Sequence, residues 1–187
     1  MLEINLSKTP LRWLRLLNVL IILCSILLCC ILLLLRLPGI ELLGISPDWL
    51  LIWVVVWSVK RTVWQGAIAG IALGLIQDAL TSPHPSHVLS LALVGILTAS
   101  LRKQRYARED FIIIALIVFV MVVLTETILA LQFSLTFINS LESIRQYYQH
   151  RILSSAVISS IWAPVVYYPL NIWWENLRKI ERSKTKL

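Results

Sequence analysis

Charged side chains are scarce in this chain of 187 residues. Asp, Glu, Lys and Arg make up 14% of it, whereas a soluble domain carries about 25% charged residues. The apolar set AVILMFWYC makes up 58%, and the mean hydropathy is +0.81. This composition excludes a soluble enzyme, a secreted disulfide scaffold and a disordered chain. It predicts an all-α, polytopic membrane protein with about six transmembrane helices and little mass outside the bilayer.

Cysteine is also rare. The three cysteines, Cys24, Cys29 and Cys30, all lie inside the first apolar run. Cys29 and Cys30 are adjacent and cannot easily bridge, and the run offers no other polar metal ligand. We therefore interpret the three thiols as small apolar packing residues.

Catalytic and cofactor-binding motifs are missing from the sequence. It contains no zinc-binding HExxH pattern, no Walker loop and no dinucleotide fingerprint, and we find no Ser/His/Asp or Cys/His set. His84 and His87 flank Pro85-Ser86 in a short loop, and two histidines alone are weak evidence for a metal. We interpret them as ordinary loop residues. The sequence thus predicts no enzyme activity, no cofactor and no metal site.

Long apolar runs dominate what is present. The first, residues 16–35, holds 20 residues without a charge, which as a helix spans about 30 Å and crosses the hydrocarbon. Ser46-Pro47-Asp48 reads as the start of a second helix, with Ser46 as N-cap, Pro47 at the first helical position and Asp48 in the first turn. We predict one membrane domain over 1–187, with transmembrane helices at 16–35, 47–59, 63–80, 88–101, 111–131 and 152–174.

Three other segments are expected to lie outside the spans. Residues 139–151 place Leu141, Ile144 and Tyr148 at helical spacing between polar residues, which is typical of an amphipathic helix at the membrane surface. Residues 175–187 form a basic tail, and residues 1–15 a short N-terminal segment.

The net charge of +7 raises the question of a nucleic-acid partner. The basic residues lie in short clusters between the apolar runs, so we interpret them as topology signals instead. With six crossings, 14 of the 17 basic residues fall on the side of both termini and three on the other, namely Arg36, Arg145 and Arg151. The positive-inside rule then places both termini in the cytoplasm, in a plasma (inner) membrane protein that contacts lipid and no nucleic acid.

Glycine occurs only six times, yet three glycines form one stripe. Gly66, Gly70 and Gly74 recur at every fourth residue of the third predicted helix. Small residues at this spacing let another helix approach closely, where packing drives association. We interpret the stripe as internal packing within one bundle. The alternative is a groove that docks the helix of a partner protein.

Two acidic residues are predicted to lie within the bilayer. Asp78 ends the glycine stripe after Gln77, and Glu126 lies between two threonines of the fifth helix. A charge at such depth is normally paired, neutralised or functional. Arg151 is predicted at a compatible depth, and so is Arg36. We interpret these residues as a structural polar cluster, and a substrate or proton site is the alternative.

The second helix also carries an aromatic stripe. Trp49, Trp53 and Trp57 recur at every fourth residue. Tryptophan is enriched at the membrane interface, so we expect this stripe to anchor the helix there and to face lipid. A face for a partner protein is the alternative.

The order of these features resembles the rod shape-determining protein MreD family of bacteria. A short helix headed by Pro47 is followed by a basic turn, Lys60-Arg61, and then by the glycine stripe and Asp78. Segment 50–66 is most similar to cyanobacterial members. The resemblance covers roughly residues 15–175, and its specific part is 47–78.

The resemblance implies a non-enzymatic scaffold of the cell-elongation machinery that regulates cell shape and peptidoglycan synthesis. It implies as partners the periplasmic protein MreC, the actin-like MreB, and a peptidoglycan polymerase and transpeptidase. The implied fold is similar to the substrate-binding subunits of energy-coupling-factor transporters. The alternative function is therefore a small-solute-binding subunit of a vitamin-type transporter, with an outer cavity lined by Gln77, Asp78 and Glu126.

Overall fold

A computed structural model describes residues 11–35, 44–81, 86–101, 111–136 and 141–185. The secondary structure of this part is helical, which confirms the all-α class. The helices are α1 (Leu11–Leu34), α2 (Trp49–Ser58), α3 (Val63–Leu80), α4 (His87–Leu101), α5 (Phe111–Thr136) and α6 (Leu141–Thr185).

Four of these helices contain stretches that are long and apolar enough to cross a membrane. The stretches are Trp13–Leu34 in α1, Val63–Leu80 in α3, Phe111–Leu135 in α5 and Arg151–Ile180 in α6. The other two helices, α2 and α4, have 10 and 15 residues, or about 15 and 22 Å against a hydrocarbon core of about 30 Å. The count of six crossings therefore stays a prediction.

The short helix α2 lies at the centre of the bundle. Every side chain from residue 50 to 56 is at most 2% exposed, and α2 contacts each of the other five helices. A helix that is apolar on all sides is buried by its neighbours. Because α2 is surrounded by protein, its length does not have to match the thickness of the bilayer.

The burial of α2 shows that the prediction of a lipid-facing tryptophan stripe is wrong. Trp49 and Trp53 are 3% and 2% exposed. Trp49 packs edge-on against Trp162 of α6, with ring centroids 5.4 Å apart, and Trp53 stacks on Trp57 at 5.3 Å. Spacing at every fourth residue places the rings on one side of α2, and that side packs against protein.

The start of α2 also differs from the prediction. Asp48, rather than Ser46, is the N-cap, and its carboxylate accepts a hydrogen bond from the Leu51 backbone N–H at 3.4 Å. Pro47 lies before the cap, so its carbonyl accepts from the Trp49 N–H at 3.1 Å. This shift places an acidic side chain at the end of the innermost helix.

The C-terminal part of the chain forms one long helix. Segment 152–174 and the described parts of 139–151 and 175–187 all lie on α6, whose 45 residues contain Pro164 and Pro169. Such a helix is about 68 Å long, more than twice the thickness of the hydrocarbon core. Whether 139–151 lies on the membrane surface stays a prediction.

The peripheral helix α1 packs against α2 along one side only. The Trp53 indole N–H donates to the Ser25 hydroxyl at 2.9 Å, and Ser25 donates to the Ile22 carbonyl at 2.8 Å. The three cysteines of α1 are free thiols, and Cys29 is buried in the hydrophobic core. Most of the remaining α1 surface is exposed and apolar.

Candidate functional site

The glycine stripe of α3 packs against α4 of the same chain. Gly66, Gly70 and Gly74 are all buried. A Cβ atom added to Gly70 would lie 2.6 Å from the carbonyl carbon of Leu91, and one added to Gly66 would overlap the carbonyl oxygen of Gly95. The helices therefore touch backbone to backbone, an approach that only residues without a side chain allow.

This contact uses the whole stripe. A Cβ atom added to Gly74 would lie 2.5 Å from the Val88 Cα atom, so all three glycines face α4. The structure thus places the predicted packing residues at an internal helix pair. A helix from a partner protein has no access to the stripe while α4 occupies it.

The same two helices are joined at one end by Asp78. Its Oδ1 atom accepts from the His87 backbone N–H and lies 2.8 Å from the His87 ring Nδ1, and Oδ2 accepts from the Ser86 hydroxyl at 2.7 Å. His87 is the first residue of α4, whose free N–H groups need acceptors. Asp78 therefore caps α4 from the neighbouring helix, with a negative charge at the positive end of the helix dipole.

A second acidic group, Asp48, lies at the same end of the bundle. Its backbone N–H donates to the Ser159 hydroxyl of α6 at 3.0 Å, and its carboxylate accepts a hydrogen bond from the Gln77 side chain. Gln77 is 5% exposed, and in the described part of the chain its side-chain oxygen has no hydrogen-bond partner. Asp48 thus links α2 with α3 and α6.

The third acidic group is Glu126 of α5. Its side chain is 6% exposed, and its Oε1 atom accepts from the Arg151 Nε atom at 3.5 Å. Its Oε2 atom is buried and has no hydrogen-bond partner within the described ranges. Glu126 also interacts electrostatically with Asp48 and His87.

We refer to Asp48, Gln77, Asp78, His87, Glu126 and Arg151 as the polar cluster. It draws one or two side chains from each of α3, α4, α5 and α6 and from the cap of α2. The structure brings the four residues singled out in the sequence, Gln77, Asp78, Glu126 and Arg151, into this one region. Arg36 and His84 lie outside the described residues.

Sequence reasoning missed two members of the cluster. The prediction that Asp48 lies in the first turn of α2 is wrong, because Asp48 is the N-cap of that helix. The prediction that His87 is a loop residue is also wrong, because His87 is the first residue of α4. The available signals were an acid directly before an apolar helix and a Ser-His pair directly before another. Both are typical of helix N-termini, where a polar side chain finds free backbone N–H groups.

The opposite end of α2 carries basic residues that are also paired. Lys60 contacts the side-chain oxygen of Asn171 and lies 3.8 Å from Glu175 Oε1. The Arg61 guanidinium lies 4.1 Å from the centroid of the Trp57 ring, a favourable cation–π geometry. The polar cluster and this basic end therefore mark the two ends of the bundle.

These features define a class: an all-α membrane protein with a buried central helix, a glycine-packed hairpin and a polar cluster at one end. In the part of the chain that the structure describes, no group of three or more His, Cys, Asp or Glu residues is arranged to hold a metal ion.

Comparison with protein families makes the assignment specific. Residues 14–172 match the family model described as rod shape-determining protein MreD. Because this match covers well over half of the sequence, the chain belongs to the MreD family. Neither a curated protein nor a solved structure matches the chain.

Proposed function

We propose that this protein is a non-catalytic membrane scaffold of the bacterial cell-elongation machinery. Membership in the MreD family implies a role in rod shape determination, and the match over residues 14–172 is the observation that carries the proposal. The scaffold would act through contacts with MreC, MreB and a peptidoglycan polymerase and transpeptidase, and so regulate peptidoglycan synthesis.

The contacts of the polar side chains support a scaffold more than a solute-binding subunit. Both carboxylate oxygens of Asp78 bind groups of the same chain, at Ser86 and His87. One oxygen of Glu126 is engaged by Arg151. Residues that were expected to line a solute cavity therefore join helices to one another.

The proposal includes an orientation in the plasma membrane. Lys60 and Arg61 lie at the end of the bundle opposite the polar cluster, and the positive-inside rule assigns a basic end to the cytoplasm. Both termini would then be cytoplasmic, and the polar cluster would lie toward the outside.

We expect single cysteines in a cysteine-free chain to follow this orientation. Replacements at Asn5 and Gln104 should be shielded from a membrane-impermeant maleimide in intact cells, and replacements at Leu42 and His84 should react. Permeabilised cells provide the control for reactivity. Labelling of position 104 from outside would contradict the six-crossing topology.

Deletion of the gene tests the function itself. We expect the deletion strain to lose normal cell width or the normal placement of wall growth, and re-expression of the wild-type chain to restore both. Cell dimensions and the incorporation of a fluorescent D-amino acid are the readouts. A defect in solute uptake with unaltered cell shape would instead favour the transporter subunit.

A further inference from the structure

The polar cluster contains more negative than positive groups. Three carboxylates, those of Asp48, Asp78 and Glu126, are accompanied by one arginine, Arg151, and by His87. Even when His87 is protonated, the cluster keeps one excess negative charge. An excess charge is costly within the hydrocarbon, where water does not solvate it.

Two acceptor oxygens of the cluster have no donor among the residues that the structure describes. These are Gln77 Oε1 and Glu126 Oε2, and each residue is 5% exposed. Buried polar atoms without partners are rare and costly in native proteins. The addition of one positively charged hydrogen-bond donor would reduce both the excess negative charge and the number of acceptor oxygens without a donor.

We propose that Asp48 and Glu126 together hold one proton at neutral pH, so that the polar cluster is a proton-binding site. The proton comes from solvent and adds to a carboxylate oxygen, and no other bond changes. It removes the excess charge and converts an acceptor into a donor. A proton also requires no cavity, unlike a metal ion or an organic cation.

The surroundings of the two acids favour this pair over Asp78. Glu126 interacts electrostatically with Arg151, Asp48 and His87, and Asp48 with His87 and Arg151. Asp78 already accepts from the Ser86 hydroxyl and the His87 backbone N–H, one through each of its two oxygens. Arg151 is 44% exposed, so the cluster is open to its surroundings on the side of this residue.

Infrared spectroscopy of the purified full chain in lipid nanodiscs tests the proposal. At neutral pH we expect the carbonyl band of one protonated carboxyl group per chain. Glu126→Gln and Asp48→Asn should each abolish the band, since the remaining acid of the pair is then balanced by Arg151. Glu175→Gln, at the opposite end of the bundle, is the matched control and should keep it.

Thermal unfolding provides a second readout. A proton bound by the folded chain and released on unfolding stabilises the protein at low pH, so the melting temperature should fall as the pH rises above the ordinary carboxyl pKa of about 4, and should level off once the folded chain has released the proton. Glu126→Gln should remove most of this dependence. The glutamine resembles the neutral acid in shape, so this variant is expected to fold.

Three results would overturn the proposal. The first is a folded wild-type protein without the carboxyl band at neutral pH, which decides the matter even if a variant fails to fold. The second is a band that persists in both Glu126→Gln and Asp48→Asn. The third is a melting temperature that rises when sodium chloride replaces choline chloride at constant pH and ionic strength, because a metal cation would then occupy the cluster.

Discussion

Replacing Gly70 with leucine is expected to prevent the native packing of α3 on α4 while leaving membrane insertion intact. An added Cβ atom would lie 2.6 Å from the Leu91 carbonyl carbon and 2.8 Å from the Ala92 Cα atom. Overpacking of a core costs about 1–3 kcal/mol. We expect the upper end of this range or more, because the neighbouring atoms are backbone and cannot rotate away.

The same helix offers a matched control for this substitution. Ala72 lies two residues from Gly70 and is exposed, so Ala72→Leu adds apolar bulk without meeting α4. We expect both variants to reach the membrane at similar levels, because insertion depends on hydrophobicity. Only Gly70→Leu should then lose the monodisperse peak in detergent gel filtration and melt at a lower temperature. Wild-type behaviour of Gly70→Leu in both assays would show that α3 and α4 do not pack through this stripe.

Replacing Asp78 with leucine is the second change with a large expected effect. It removes the acceptor for the Ser86 hydroxyl, the His87 backbone N–H and the His87 ring. Loss of a helix cap costs about 0.5–2 kcal/mol, and hydrogen bonds to a charged group contribute about 1.5–3 kcal/mol each. We therefore expect Asp78→Leu to lower the melting temperature and the protein level together.

Milder substitutions show how much each hydrogen bond of Asp78 contributes to stability. Ser86→Ala removes two hydrogen bonds, one donated to Asp78 Oδ2 and one accepted from the Val88 backbone N–H, and should cost about 1.5–3 kcal/mol. Asp78→Asn keeps one acceptor oxygen and should lie between Ser86→Ala and Asp78→Leu. Thermal unfolding of the three purified variants measures the order. A melting temperature of Asp78→Leu equal to that of the wild type would remove Asp78 from the structural contacts of the bundle.

The α3–α4 hairpin shows what local sequence reasoning can provide. Three glycines at every fourth residue lie on one side of any helix, so a close helix contact follows from the spacing alone. The identity of the partner, α4 of the same chain, does not follow from it. That choice depends on the short connection between α3 and α4 and on Gly95, which leaves room for the backbone of Gly66.

The central helix shows where hydropathy reasoning fails. Lipid and a protein interior are both apolar, so a run such as 49–57 has the same hydropathy in either surrounding. Only the packing of α1, α3, α4, α5 and α6 around α2 decides that Trp49 and Trp53 are buried. The local sign was the length of the predicted segment 47–59, whose 13 residues are fewer than the roughly 20 of a membrane crossing.

The polar cluster could be predicted in part. Asp78, Glu126 and Arg151 stand out because charges are rare in apolar helices, and depth along the helices places them at one end of the bundle. The contact of Asp48 with Ser159 joins residues 111 positions apart. Such a contact depends on how α2 and α6 cross, and no local pattern encodes that crossing.

The scaffold role is tested most directly by co-purification of partners with the tagged full chain from native membranes. We expect MreC and the peptidoglycan polymerase and transpeptidase to be recovered with the wild type and with Ala72→Leu, and to be lost with Gly70→Leu. Folded, abundant wild-type protein that recovers none of these partners, in cells whose shape does not depend on it, would contradict the proposed function.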